Sequence, residues 1–193
     1  RLDRDTSGCL LLGKGIAAAR HFDAQFRSAA VQKTYTALVD GVPAGDTFPI
    51  DAWLGPDRRR PGKVVAWSAP GPGLRDAHTV VEVRRRFMRH ALLDLRPRTG
   101  RSHQLRVHLA SIGHAIVGDR DYGGQDLLLS MLKGDYKLRC GVVERPLLQR
   151  MFLHAQRVEF EDVDGTRVDV LAPLPDDLTI ALQKLDSYDG RRR

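Results

Sequence analysis

Residues able to do chemistry gather in three short stretches of this chain. The first is Arg1-Leu2-Asp3-Arg4-Asp5-Thr6-Ser7-Gly8, two acids set among arginines ahead of a short apolar run. An opposite charge beside a carboxylate favours its ionised form, and an ionised, partly desolvated Asp at a strand edge is a usable nucleophile. The same octet also reads as a solvated turn, whose surface ion pairs would contribute little. The second stretch, Arg96-Pro97-Arg98-Thr99-Gly100-Arg101-Ser102-His103-Gln104-Leu105-Arg106-Val107-His108-Leu109, is a donor-rich turn leading into helical spacing. Between Arg84 and Arg106 there are eight Arg and one acid, Asp94. Such a stripe attracts a polyanion in a salt-dependent way. Ser102, His103 and Gln104 add neutral donors suited to base edges or sugar hydroxyls. A charge run of this kind is also commonly a solvated face. The third stretch places Tyr35 in a β-prone segment, Lys33 to Val39, where a lone tyrosine equally fits as a core residue with a satisfied hydroxyl.

The charge balance points the same way. Net charge is +7 and the pI is about 9.8, with 25 Arg against 6 Lys. Arginine presents a flat fork that matches phosphate oxygens in pairs, although a GC-rich genome also enriches Arg. At 193 residues, 42% hydrophobic and 28% charged, the chain has the composition of a globular protein of one domain or slightly more. That excludes a disordered chain, a collagen-like fibre and a disulfide-stapled mini-protein. No apolar run approaches the roughly 18 residues needed to span a bilayer, and no signal-peptide pattern opens the sequence, so no membrane partner is expected. Cys9 and Cys140 are far apart and lack metal-ligand spacing. They predict a reducing, cytoplasmic setting and no metal. A monomer is the default expectation, with no protein partner evident.

Several elements must position these residues. Gly8 to Leu12 predicts a short buried strand. Ile16, Ala19, Phe22, Phe26 and Ala29 recur at helical spacing and predict an amphipathic helix. Thr34 to Val39 predicts a strand closed by the Asp40-Gly41 turn. From 42 to 76 six prolines weaken the signal, leaving one short strand around Lys63 to Trp67. His78 to Phe87 and Ala91 to Arg96 predict a hairpin. Ser102 is a candidate N-cap for a helix with Leu105, Leu109 and Ile112 on one face. Strands follow at Gln156 to Glu161 and Arg167 to Leu171, joined by Asp164-Gly165, and a last helix runs from Asp176 or Asp177 to about Leu185. Strands outnumber helices and succeed one another in antiparallel fashion. The fold class is therefore α+β, a mixed, mostly antiparallel sheet with flanking helices, and not a doubly wound fold. Segment 125–150 reads as an insertion, and 187–193 as a disordered tail.

Taken together, the three stretches resemble the RluA-like family of RNA pseudouridine synthases. That family carries His-Arg-Leu-Asp-x-x-Thr-Ser-Gly, then Lys-x-Tyr in a strand, then Gly-Arg-(Ser/Thr)-His-Gln-(Ile/Leu)-Arg-Val-His. Here the matches are Arg1 to Gly8, Lys33 to Tyr35, and Gly100 to His108. Gly113-His114-Ala115-Ile116-Val117-Gly118-Asp119, Tyr122-Gly123 and Leu153-His154-Ala155 are also similar, in the same order. The resemblance implies a pseudouridine synthase fold with a central RNA-binding cleft. It implies isomerisation of uridine: the base leaves its ribose through N1, rotates and rejoins through C5. Asp3 matches the nucleophile, attacking either C6 of uracil or C1′ of ribose. Arg106 matches the arginine paired with it. Tyr35 matches the tyrosine that packs on uracil and assists removal of the C5 proton, and Leu153 an apolar residue near the base. No metal or organic cofactor is implied. A stacked target base must flip into a pocket, so Arg1 is a candidate to fill its vacancy or hold a phosphate. Arg101 and His103 are candidates for RNA contact or for ordering the loop under Arg106. Ribosomal and transfer RNA are both compatible, and the long central segment favours ribosomal RNA. The family has strands ahead of its first motif, so 1–193 is expected to be a catalytic domain lacking its N-terminal strands.

Two rivals remain on sequence alone. Gly13-Lys14-Gly15-Ile16-Ala17-Ala18 approximates a dinucleotide-binding turn, but the strand-rich continuation and the other two stretches do not fit it. A non-catalytic RNA-binding protein of the same fold would carry the same basic stripe without needing Asp3. A zinc-dependent base deaminase is excluded, because neither His-x-Glu nor Pro-Cys-x-x-Cys occurs.

Overall fold

A computed structural model describes residues 1–139 and 141–188. In chain order its elements are β1 (Ser7–Gly8), α1 (Ile16–Arg27), β2 (Gln32–Asp40), β3 (Thr47–Pro56), β4 (Val64–Trp67), β5 (Arg75–Arg86) and β6 (His90–Pro97). Then come α2 (Gln104–Ser111), α3 (Leu129–Leu132), β7 (Leu153–Glu161), β8 (Arg167–Leu171) and α4 (Asp176–Tyr188). The strands form a single sheet in the order β1-β7-β2-β6-β5-β3-β4, with β8 also paired to β7. Every pairing is antiparallel except β1 with β7. The α+β architecture with a mixed, mostly antiparallel sheet is thus as the sequence predicts.

Central strands are buried on both faces. Thr36 to Val39 of β2 and His90 to Leu93 of β6 are buried without alternation, so their apolar runs are continuous. One hydrophobic cluster joins Leu38, Leu93 and Leu95 to Leu105 and Leu109 of α2 and to Leu178 and Leu185 of α4. Leu127, Leu132 and Leu148 from segment 125–150 pack into the same cluster. α4 continues through Tyr188, and the rest of the expected tail lies outside the described residues, as does Cys140.

Some local expectations need correction. The run after Gly8 is not a buried strand: β1 ends at Gly8, and Leu10 and Leu12 are exposed. On α1 only Phe22 is buried, packed edge-to-face on Phe160 of β7. Polar contacts hold the helix instead: Gln25 Nε2 donates to the Glu161 carbonyl, and the Glu161 N–H donates to Gln25 Oε1. β3 was hidden by its prolines. Pro49 pairs with Val80 at a level that β4 does not reach, so this half of β3 is a sheet edge, where proline is tolerated.

His108 is a buried polar residue beneath the sheet. Its Nδ1 lies 3.0 Å from Thr79 Oγ1, and burial pushes its pKa down to about 4. His78 adds to the lowering and Asp51 opposes it. Folded His108 therefore stays neutral while an unfolded chain protonates near pH 6.5. Its contribution is complete above pH 6.5 and is lost as pH falls toward 4, removing about 3 kcal/mol in all. Urea unfolding at pH 7 and pH 4.5 measures this, and His108→Leu should flatten that part of the slope.

Candidate active site

The Asp3 loop is built by a tight turn and clamped on several sides. The Thr6 N–H donates to the Asp3 carbonyl at 3.1 Å, and Asp5 has φ 71°, the positive value a type II turn requires at its third residue. Arg150 donates from Nη1 to the Asp5 carbonyl at 3.1 Å while gripping Asp177 of α4 through both carboxylate oxygens. Next, Ser7 and Gly8 pair with His154 and Ala155. The Ser7 hydroxyl lies 2.9 Å from His154 Nδ1, and His154 Nε2 lies 3.0 Å from the Ala172 carbonyl. A carbonyl only accepts, so Nε2 carries the proton and the Ser7 hydroxyl donates to Nδ1. Gly8 permits this docking: its φ is 115°, and a Cβ there would sit 2.2 Å from the Ala155 carbonyl oxygen.

Tyr35 comes from β2 at an irregularity. The β2–β7 register shifts between Thr34 and Tyr35, leaving Gln156 as the extra residue on β7. Such bulges re-aim side chains, and here Gln156 Oε1 is held by the Thr36 hydroxyl at 2.8 Å. Burial, then the charge of Asp3, pushes the Tyr35 phenol up to about 12. Leu153, at the start of β7, is buried beside it.

The turn before α2 is ordered by Gln104, not by the expected Ser102 cap. Gln104 Oε1 accepts from the Thr99 hydroxyl and the Arg101 N–H, both at 2.9 Å; Nε2 donates to the His78 carbonyl and Thr79 Oγ1, both at 3.0 Å. His103 occupies the N-cap position with φ 53°, and no side chain caps the helix. Arg101 is tied to β5, donating to the Asp76 carbonyl at 2.8 Å and to its carboxylate at 2.7 Å. The Tyr122 hydroxyl accepts the Val64 N–H and lies 2.7 Å from His103 Nδ1.

Arg106 is the buried hub. Its Nε and Nη2 donate to the two oxygens of buried Asp119 at 2.7 and 2.8 Å. Nη2 also lies 3.3 Å from Asp121, the guanidinium centre 4.8 Å from the Tyr122 ring centroid, and Nη1 3.8 Å from the Asp3 carboxylate. Burial opposes the charge, but the hydrogen bond and charge of Asp119, aided by Asp3, hold the guanidinium above its ordinary pKa. Asp3 is therefore the outer partner of Arg106 and Asp119 the inner one.

Six of the seven residues singled out from sequence line one cavity of about 470 Å³: Arg1, Asp3, Tyr35, Arg101, His103 and Leu153. That volume suits a small-molecule or nucleoside ligand. Arg106 lines an adjoining cavity of about 560 Å³, and His103 borders both. Sequence reading assigned no role to Asp119, Asp76, Arg150 or Lys33, and it offered Gln104 as a donor to RNA, whereas its amide is taken up by four partners within the protein. Asp119 had one usable signal, its place in the Gly113 to Asp119 stretch that resembles the family. No group of three or more His, Cys, Asp or Glu side chains among the described residues is arranged to hold a metal ion. No helix among them is long and apolar enough to cross a membrane.

Comparisons with known proteins converge on one group. A family model described as RNA pseudouridylate synthase matches residues 1–111. The chain is 34% identical over 195 residues to the ribosomal large subunit pseudouridine synthase D of Xylella fastidiosa, covering 96% of this chain and 53% of that protein. It is 33% identical over 186 residues to synthase C of Vibrio cholerae, covering 96% and 54%. The chain thus spans about half the length of these curated relatives. Among solved structures, human RNA pseudouridylate synthase domain containing 1 superposes with a TM-score of 0.70 at 25% identity, over 100% of this chain and 80% of that one.

Proposed function

The chain belongs to the RNA pseudouridylate synthase family, and from that premise we propose that it isomerises a uridine of ribosomal large-subunit RNA to pseudouridine. The observation that carries this reading is the meeting of Asp3 and Tyr35 in one cavity, with Arg106 Nη1 3.8 Å from the Asp3 carboxylate. Relatives named as ribosomal large subunit synthases support the choice of RNA. Residues 1–193 would act as a catalytic domain, in the cytoplasm, without metal or organic cofactor.

In this reading the target uridine leaves its stack and enters the cavity, an extrusion costing a few kcal/mol. Arg1, two residues before Asp3 on the cavity rim, takes the place of the departed base. Asp3 attacks C6 of uracil or C1′ of ribose. The N1–C1′ bond breaks, the base turns and C5 bonds to C1′. The bond from Asp3 then breaks, displaced by C5 if it was made to C1′ or eliminated if it was made to C6, which returns the free carboxylate, and the C5 proton is lost as N1 gains one. Arg106 orients the Asp3 carboxylate and balances its charge. Leu153 supports the uracil face beside Tyr35, and His103, on the same cavity wall, is placed to contact the base or its phosphate. Arg101 orders the turn above Arg106 through Asp76.

The raised phenol narrows the role of Tyr35. A hydroxyl with a pKa of about 12 stays protonated at neutral pH, so it is poorly matched to general-base work. Tyr35 packs on the uracil and donates a hydrogen bond. Between pH 6 and 10 the rate profiles of the parent and Tyr35→Phe should share one shape and differ only in height. A basic limb present in the parent and absent from Tyr35→Phe would return the proton-abstracting role to the phenol.

Tritium release from ribosomal RNA carrying 5-tritiated uridine tests the activity itself. Release with pseudouridine in the product supports the isomerase. A protein that binds the RNA and never releases tritium would favour the non-catalytic reading.

A further inference from the structure

Helical spacing predicts that Phe26 is a core residue of α1, yet it is 42% exposed. It stands between two concavities: the uridine cavity on one side and, on the other, a groove of about 420 Å³ beside the 98–101 turn. Arg27, Lys33, Arg98 and Arg101 line this groove, and no carboxylate among the described residues does. Two of these cations are spoken for, since Arg27 pairs with Asp23 and Arg101 with Asp76. The Arg98 guanidinium hydrogen-bonds only to the neutral Gln32 amide oxygen, at 3.5 Å, among the described residues. Lys33 makes no ion pair among them; its Nζ lies 5.6 Å from the Phe26 ring centroid. Burial lowers the pKa of this amine, as expected of a cation held without a counter-charge. An exposed aromatic ring flanked by unneutralised cations is the chemistry that binds single-stranded nucleic acid, with bases stacking on the ring and phosphates on the cations.

We propose that Phe26, Lys33 and Arg98 form a subsite for the nucleotide next to the flipped uridine, its base stacked on Phe26 and its phosphate held between Lys33 and Arg98. The inference rests on the isomerase reading for what fills the adjoining cavity. Flipping one base uncovers a face on each of its two neighbours; Arg1 fills the gap against one of them, and the Phe26 ring, which lines the same cavity, covers the other. Lys33 borders both the cavity and the groove, so it sits where the connecting phosphate must pass.

Phe26→Ala, Phe26→Leu and Phe26→Trp test the stacking, each assayed for tritium release and for equilibrium binding to a fluorescein-labelled single-stranded oligoribonucleotide. Phe26 packs too little for its loss to unfold the chain, and thermal melts check this. Ala and Leu should weaken binding and raise KM about tenfold, the typical loss at a base-stacking aromatic, with kcat within about twofold. Trp should restore the parent values. Variants that all behave as the parent, or a Trp variant no better than Leu, would overturn the stacking. Lys33→Met and Arg98→Gln should each reduce the slope of log affinity against log salt by about 0.7; unchanged slopes would overturn the phosphate assignment. The two readings fail separately. A parent that binds RNA without releasing tritium sinks the isomerase while the binding series still decides the subsite, and a parent that binds no RNA sinks both.

Discussion

Asp3→Asn should abolish tritium release while leaving the fold and RNA binding in place. The substitution is nearly isosteric and removes only the charge and nucleophilicity of the carboxylate. Loss of a nucleophile typically lowers turnover by at least about 10³-fold, so release should fall to the background of the assay. Stability should shift by less than about 1 kcal/mol, since Asp3 is only the 3.8 Å outer partner of Arg106 and is partly solvated. The hydrogen bonds that clamp the turn use the backbone of Asp3 and Asp5 and the side chain of Ser7, so they survive. The RNA complex should persist or tighten slightly, because one negative charge facing the polyanion has gone. The combination is diagnostic: bound RNA, a parent-like melt and no product. Residual release above one per cent of the parent would mean that another group attacks the nucleoside, and Asp3 would lose its assignment.

How much of this could be read without coordinates depends on the range of the interaction. Asp3, Tyr35 and Arg106 were visible because each stands in a short motif whose order along the chain is distinctive. The β5–β6 hairpin and the β7–β8 pair were visible because their turns are local. Contacts that close across the fold were not. Asp119 and Arg106 meet through a loop that carries the chain past α2, and no local pattern announces a bidentate pair. The clamp of Arg150 on both Asp177 and the Asp5 carbonyl joins three distant segments. Periodicity also misled where burial was not what the pattern served. The apolar spacing of α1 predicts a packed stripe, but Gln25 and Phe22 fix the helix, and Phe26 is left facing a groove. Ser102 has the chemistry of a cap, yet Gln104 orders that turn by bonding four partners at once.

The strongest tertiary constraint on the site gives the second large effect. Asp119→Ala would leave the guanidinium of Arg106 buried without its bidentate partner. Breaking one side of a buried ion pair costs about 3–5 kcal/mol, which for a domain of this size lowers the melting temperature by on the order of 10 °C. Asp121 and Asp3 remain near Arg106 and place the expected loss toward the lower end. Asp119→Asn should cost less, because one oxygen still accepts while the amide faces a donor. Its effect on catalysis is the more informative. Freed from Asp119, the guanidinium can turn toward Asp3 and close the 3.8 Å gap into a direct pair. That would occupy the oxygens needed for attack, so kcat should fall more than tenfold while KM holds within a few-fold. Arg106→Lys should behave similarly, since an ammonium cannot span both Asp119 oxygens and still reach Asp3. Single-turnover rates taken well below each variant's melting temperature separate this from simple unfolding. If Asp119→Asn melted and turned over like the parent, the orientation of Arg106 would have to come from Asp121 and the Tyr122 ring instead.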